Sequence, residues 1–229
     1  MSQLSDYNSQ VSTLIKDDAN FISSDDIDDA IAMAVTRYSL HRPLKKVDEY
    51  AGDGGYDYDL PTDWVQGFSR IVSVEYPYDE QDPNYINKED WTIFLKLVGE
   101  VQTYVLRFLA IKPVAADSIR VLYTIPHSVN GSASTVYTND FDAVCALAAS
   151  IACGMIARKF LQTSDPTIGA DAVNYAAKSS AAASRAKELY KSYLDHLGLT
   201  DIPASGGIKE FDTGFVLGGE YLTHKSWQR

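Results

Sequence analysis

Between positions 143 and 157 the chain reads AVCALAASIACGMIA, with no charge and Ser150 as the only plainly polar side chain. A helix apolar on nearly every side belongs inside a core, and its 15 residues before Arg158 and Lys159 fall short of the about 20 that a bilayer span requires. This stretch is predicted to be the hub of a helical body. Ala146, Ala149, Ala152 and Gly154 leave room for a close neighbouring helix, and Phe141, Cys145, Ala148, Ala152, Ile156 and Phe160 recur at helical spacing as one packing stripe. Asn139 followed by Asp142 predicts the cap at its start. After a break at Thr163, Ser164, Asp165 and Pro166, the period returns with Val173, Ala177, Ala182, Ala186, Leu189, Tyr193 and Leu197. Lys178, Arg185, Lys187, Glu188, Lys191 and Asp195 fall on the opposite side, so this second helix is amphipathic, and Gly198 ends it.

Upstream, residues 4–15 form a weak amphipathic helix, and Ser23 and Ser24 cap a better one whose Ile27, Ile31, Val35 and Tyr38 share a face. Pro43 closes it. From 47 to 125 the pattern changes to alternation, which predicts a β layer inserted between helices, with strands at 56–60, 70–76, 91–98, 101–108 and 118–124. Val98-Gly99-Glu100-Val101 places glycine where a two-residue type II′ hairpin needs it. Pro61, Pro77, Pro83 and Pro113 fall at segment ends. Residues 78–90 read as an acidic surface loop, with Tyr76, Tyr78 and Tyr85 as exposed aromatics nearby. The fold class is therefore α+β, a helical bundle with an inserted antiparallel β layer and an extended C-terminal tail. The expected division is 1–46 (N-terminal helices), 47–135 (β layer), 136–199 (central helical hairpin) and 200–229 (tail). In the tail, Ser205, Gly206 and Gly207 form a flexible link. Phe211, Phe215, Tyr221, Trp227 and Arg229 beyond it are the candidate partner-binding residues, aromatics being frequent interface anchors.

A net charge of -11 and a pI near 4.7 exclude a surface built to grip nucleic acid phosphates. Asp25, Asp26, Asp28 and Asp29 sit at a helix start, where the macrodipole favours them. Asp53, Asp57 and Asp59 stand near Gly54 and Gly55 but lack the alternating ligands and terminal Glu of a calcium loop, so a tight turn is the better reading. Cys145 and Cys153 lie on the buried helix, too far apart to bridge, and read as small core residues. His41, His127, His196 and His224 form no metal-ligand spacing. No Gly-rich phosphate loop, nucleophile elbow or kinase-type set occurs, so no enzyme, cofactor or metal is expected. The opening residues show no secretion signal, so folding in the cytoplasm is expected.

Several short pieces, in order, resemble the head-to-tail adaptor proteins of tailed bacteriophages. They are Tyr58-Asp-Leu-Pro61 with Trp64, Gly67-Phe-Ser-Arg-Ile71, Val74-Glu-Tyr-Pro77, Leu106-Arg-Phe108 and the Ala-rich hub. The likeness continues through Pro166-Thr-Ile168, Ala170-Asp171, Lys178-Ser179, Arg185-Ala-Lys187 and His196-Leu-Gly198, covering most of residues 30–198. What the resemblance implies is a structural virion protein without chemistry of its own. It implies a dodecameric homo-oligomer ring in the virion neck, assembled in the host cytoplasm, between the portal protein and a downstream tail or nozzle protein. DNA would pass through without specific binding, and no membrane would take part. The acidic pool expected to line that channel is Asp17, Asp18, Asp25, Asp26, Asp28, Asp29, Asp48 and Glu49. The alternative is another virion component, such as a receptor- or glycan-binding tail protein using the Tyr- and Trp-rich sheet and the 53–59 loop.

Overall fold

A computed structural model of the chain describes residues 2–17, 20–79, 81–162 and 175–199. Among them, helices α1 (Leu4–Ile15), α2 (Ser24–His41), α3 (Phe141–Gln162) and α4 (Tyr175–Leu197) build one body. Helix α2 starts on a reciprocal cap: Ser23 Oγ accepts from the Asp26 N–H at 3.1 Å, and the Asp26 carboxylate accepts from the Ser23 N–H at 2.8 Å. Helix α4 stops where Gly198 turns to a φ of +70°, letting the Leu199 N–H reach Leu194 O at 2.9 Å. A 3-10 turn over Thr138–Asp140 runs directly into α3, so the expected cap by Asn139 and Asp142 gives way to a turn held at Asp140.

Residues 143–149 of α3 are all buried, against Tyr7 and Val11 of α1, Ile31, Ala34, Val35 and Tyr38 of α2, and Leu189 and Tyr193 of α4. By length and hydropathy alone Thr138–Gln162 could cross a membrane, but most of it is covered by these neighbours. Ser150, the one plainly polar side chain of residues 143–157, donates from Oγ to Ala186 O at 2.8 Å, which ties α3 to α4 without leaving a buried donor unpaired. Gly154 has a different role from the expected close approach. Among the described residues a Cβ there would meet nothing within 4 Å, so the described part of α4 does not need the glycine.

Between α2 and α3 lies a β lobe of two three-stranded antiparallel sheets. One has the order β1 (Leu44–Ala51), β6 (Ser118–Ile125), β3 (Ile71–Glu75); the other has β2 (Asp57–Asp59), β5 (Val101–Phe108), β4 (Trp91–Val98). Ile71, Val74, Ile119 and Val121 from the first sheet and Tyr58, Trp91, Leu106 and Phe108 from the second share one core, which has no residue in common with the helical core. β4 and β5 have the expected bounds, joined by Gly99 at φ +63° with Glu100 outside the positive-φ region, as a type II′ turn requires. Gly52, after β1, is required by space, because a Cβ there would stand 2.2 Å from Val114 O.

Three expectations change. β1 is a strand not anticipated from the sequence: LKKVDEYA carries four charges and no alternation, because this edge strand is half-buried at most along its length. Tyr76 is buried, not exposed, and its hydroxyl donates to Asp117 Oδ2 at 3.0 Å. The loop at 78–90 is partly sheet-like: Tyr76 N–H reaches Asn84 O and Ile86 N–H reaches Val74 O, both at 2.9 Å, so 84–86 protect the edge of β3.

Candidate functional site

The lobe leaves the body after α2 and returns before α3, and the two crossings are tied together by polar side chains. Asp140, 1% exposed, accepts from Tyr38 Oη at 2.5 Å, Arg42 Nη1 at 2.6 Å and His196 Nε2 at 3.0 Å, which joins α2, the turn before α3 and the last turn of α4. Burial by itself pushes this carboxyl up, but the three hydrogen bonds outweigh it and hold the group below the usual carboxylate range. Tyr38 is pushed up in turn, by burial and by its bond to Asp140. His127 stands beside this network. Its backbone N–H donates to Ser39 Oγ at 2.8 Å, and its ring Nε2 lies 2.9 Å from Arg42 O and Nδ1 2.8 Å from Thr135 O. Burial lowers its pKa, and the two carbonyls offset this only in part. These groups position the lobe and are already matched to each other.

A second charged cluster lies on the lobe's outer surface. Asp57 of β2 receives Arg107 Nε and Nη2 of β5 at 2.5 and 2.8 Å and Lys96 Nζ of β4 at 2.9 Å, linking all three strands of that sheet. The Arg107 hydrogen bonds, with Lys96 behind them and burial opposing, bring its pKa down to about 2. Asp53 accepts from the Gly55 N–H at 2.7 Å as a turn former, and Asp57 is saturated by cations, so these acids serve the fold where a calcium loop would aim them at a common centre. Among the described residues no group of three or more His, Cys, Asp or Glu side chains could hold a metal. Burial pushes the Cys145 thiol up to about 12 and raises Cys153, so neither is poised as a nucleophile.

Unmatched surface appears elsewhere. Since β2 pairs only with residues 105–107, the first half of β5 and the facing half of β4 extend as a two-stranded ribbon. It carries Leu95, Leu97 and Tyr104 on one face and Val101 on the other, all exposed. A ribbon of two strands is marginal in water unless something covers it. On the outer face of the other sheet, Val47 of β1 sits opposite Leu122 of β6, and a bulge in β3 adds Val72, giving a row of apolar side chains across three strands. The signal for the ribbon was present in the sequence, because WTIFLKLV lacks the alternation of a strand with one wet face. The row was hidden by the charges of β1.

The candidate partner-binding residues Phe211, Phe215, Tyr221, Trp227 and Arg229 lie outside the described residues, as does Asp18 of the acidic pool. Of that pool, Asp26 caps α2 and Asp28 accepts from Asn8 Nδ2 at 2.8 Å, while Glu49 pairs with Arg120.

No protein-family model and no curated protein matches the chain. Among solved structures, a chain of "Virion of native gene transfer agent (GTA) particle" aligns over 81% of this chain and 91% of its own length, at 11% sequence identity and a TM-score of 0.29. A superposition of that quality carries no argument about what this chain does.

Proposed function

We propose that this chain is a structural virion protein, a head-to-tail adaptor whose copies form a dodecameric ring between portal and tail. The observation that carries the reading is the inserted lobe: a self-contained core, tied at both crossings through Asp140 and His127, with apolar surface left on its outside. Protein–protein contact is the ordinary use of such surface. The ordered sequence pieces that resemble phage adaptors, from Tyr58 to Gly198, supply the specific role. In this reading the body and lobe make the ring, the tail with Phe211, Phe215, Tyr221, Trp227 and Arg229 anchors the portal, and the lobe also meets the downstream tail or nozzle protein. Acidic side chains face the channel, where DNA at about one negative charge per 1.7 Å slides without being held. The polar clusters are structural, and the protein performs no catalysis.

The test is native mass spectrometry and negative-stain imaging of the chain with its portal, using the full chain and one truncated after Thr200. The reading requires closed rings seated on the portal with the full chain, and a truncated chain that folds yet fails to seat. A full chain that ignores the portal, or a truncated chain that docks normally, overturns it.

A further inference from the structure

We propose that the β4–β5 ribbon docks on the outer face of the β1–β6–β3 sheet of a second copy of this chain. This rests on the ring reading above and names the two surfaces that would mate.

The ribbon projects beyond β2 by four residues of β5, about 14 Å. On one face it carries the exposed side chains of Leu95, Leu97 and Tyr104, and exposed apolar side chains grouped in this way mark an interaction site. The occupant is argued from where the complementary surface lies. Val47, Leu122 and Val72 form an apolar row on one face of the first sheet, whereas Ile71, Val74, Ile119 and Val121 on the other face pack against the sheet to which the ribbon belongs. A ribbon extending from the second sheet therefore stands on the wrong side to cover its own row. Another copy's ribbon is free to do so.

Charge agrees with this pairing. On the outer face of β1, Lys45 stands two residues from Val47; on the ribbon, Glu100 stands in the turn beyond Leu97, while Lys96 points to the opposite face with Val101. With Leu97 seated on the row, the ribbon's Glu100 meets the next copy's Lys45. Lys45 and Glu100 make no ion pair among the described residues. The two mating surfaces differ, so the contact is head to tail, the type that closes rings. The ribbon alone offers less than the roughly 800 Å² per partner of a stable complex, so each contact is weak until closure lets every copy hold two.

Cysteine trapping of the full chain under mild oxidation tests this, Cys145 and Cys153 being buried and silent. The Val47→Cys, Leu97→Cys double variant is expected to give a ladder of disulfide-linked oligomers, and each single variant to stay monomeric. In the double variant, Lys45→Glu or Glu100→Lys should remove most of the ladder, and the two reversals together should restore it. Dimers from Leu97→Cys alone, an internal bridge within one chain, or a ladder indifferent to both reversals would overturn the proposal. Rings by native mass spectrometry without a ladder would overturn these surfaces and leave the ring standing; neither rings nor a ladder would remove both.

Discussion

In the helical body, the longest apolar run is consumed inside: residues 143–149 are all buried, and Ser150 is bonded to the facing helix. In the lobe, Leu97 and Val101 are 65% and 66% exposed, and Val47 and Val72 are 47% exposed. Both regions are rich in apolar residues, but the lobe has more than its core can take in. The body is packed for itself, with small alanines that bring helices together. The lobe uses Tyr58, Trp91, Leu106 and Phe108 for its core and keeps the distal part of β4 and β5 outside it. Function in this molecule is best sought where the apolar pattern is not absorbed by folding.

The comparison breaks if the two regions fold as one unit, which the largest expected effects address. Leu147→Ala in the body and Leu106→Ala in the lobe each remove a fully buried side chain and should cost about 3 kcal/mol. Trp64 and Trp91 both lie in the lobe, so in a Trp227→Phe background tryptophan fluorescence follows the lobe and far-UV circular dichroism follows mostly the helices. Leu106→Ala should move the fluorescence midpoint more, and Leu147→Ala the dichroism midpoint more. Equal movement of both signals by both variants would mean one cooperative unit.

Asp140→Ala sharpens the comparison at the junction. It leaves Tyr38, Arg42 and His196 without their shared acceptor and should lower body stability by about 2 to 3 kcal/mol, less than burying an unpaired ion because Arg42 is half exposed. Thermal melting followed by dichroism checks it; a loss below half that size would mean that water replaces the carboxylate.

A smaller, pH-dependent effect belongs to the lobe. The Asp57 carboxyl is held at about 2 in the folded chain, below its ordinary value near 3.8, so its contribution is present above about pH 4 and is lost as pH falls toward 2. Asp57→Asn should flatten that part of the acid dependence in the fluorescence signal while leaving the helices unaffected. An unchanged acid profile would show that Arg107 and Lys96 find other partners.

How much of this was legible in the sequence follows the same division. The hub could be read because a charge-free run of helical length has few other places to go, and β4 and β5 could be read because Gly99 fixes their turn. β1 could not, since an edge strand bearing Lys45, Lys46, Asp48 and Glu49 looks like a solvated loop until a partner strand is known. Nor could the Asp140 cluster: its members stand at positions 38, 42, 140 and 196, and only the first two are neighbours in the chain. The tail anchors lie outside the described residues.

The smallest effect on stability should come with the largest on assembly. Leu97→Ser changes an exposed position and should alter folding by less than about 0.5 kcal/mol. Hydrogen–deuterium exchange of the wild-type chain, dilute and assembled, tests the underlying claim most directly. The account predicts that assembly slows exchange at 94–104 and 45–49 while 143–149 stay as slow as before, and that Leu97→Ser removes the new protection. Protection gained only on the helices, with the ribbon exchanging equally fast in both states, would contradict it.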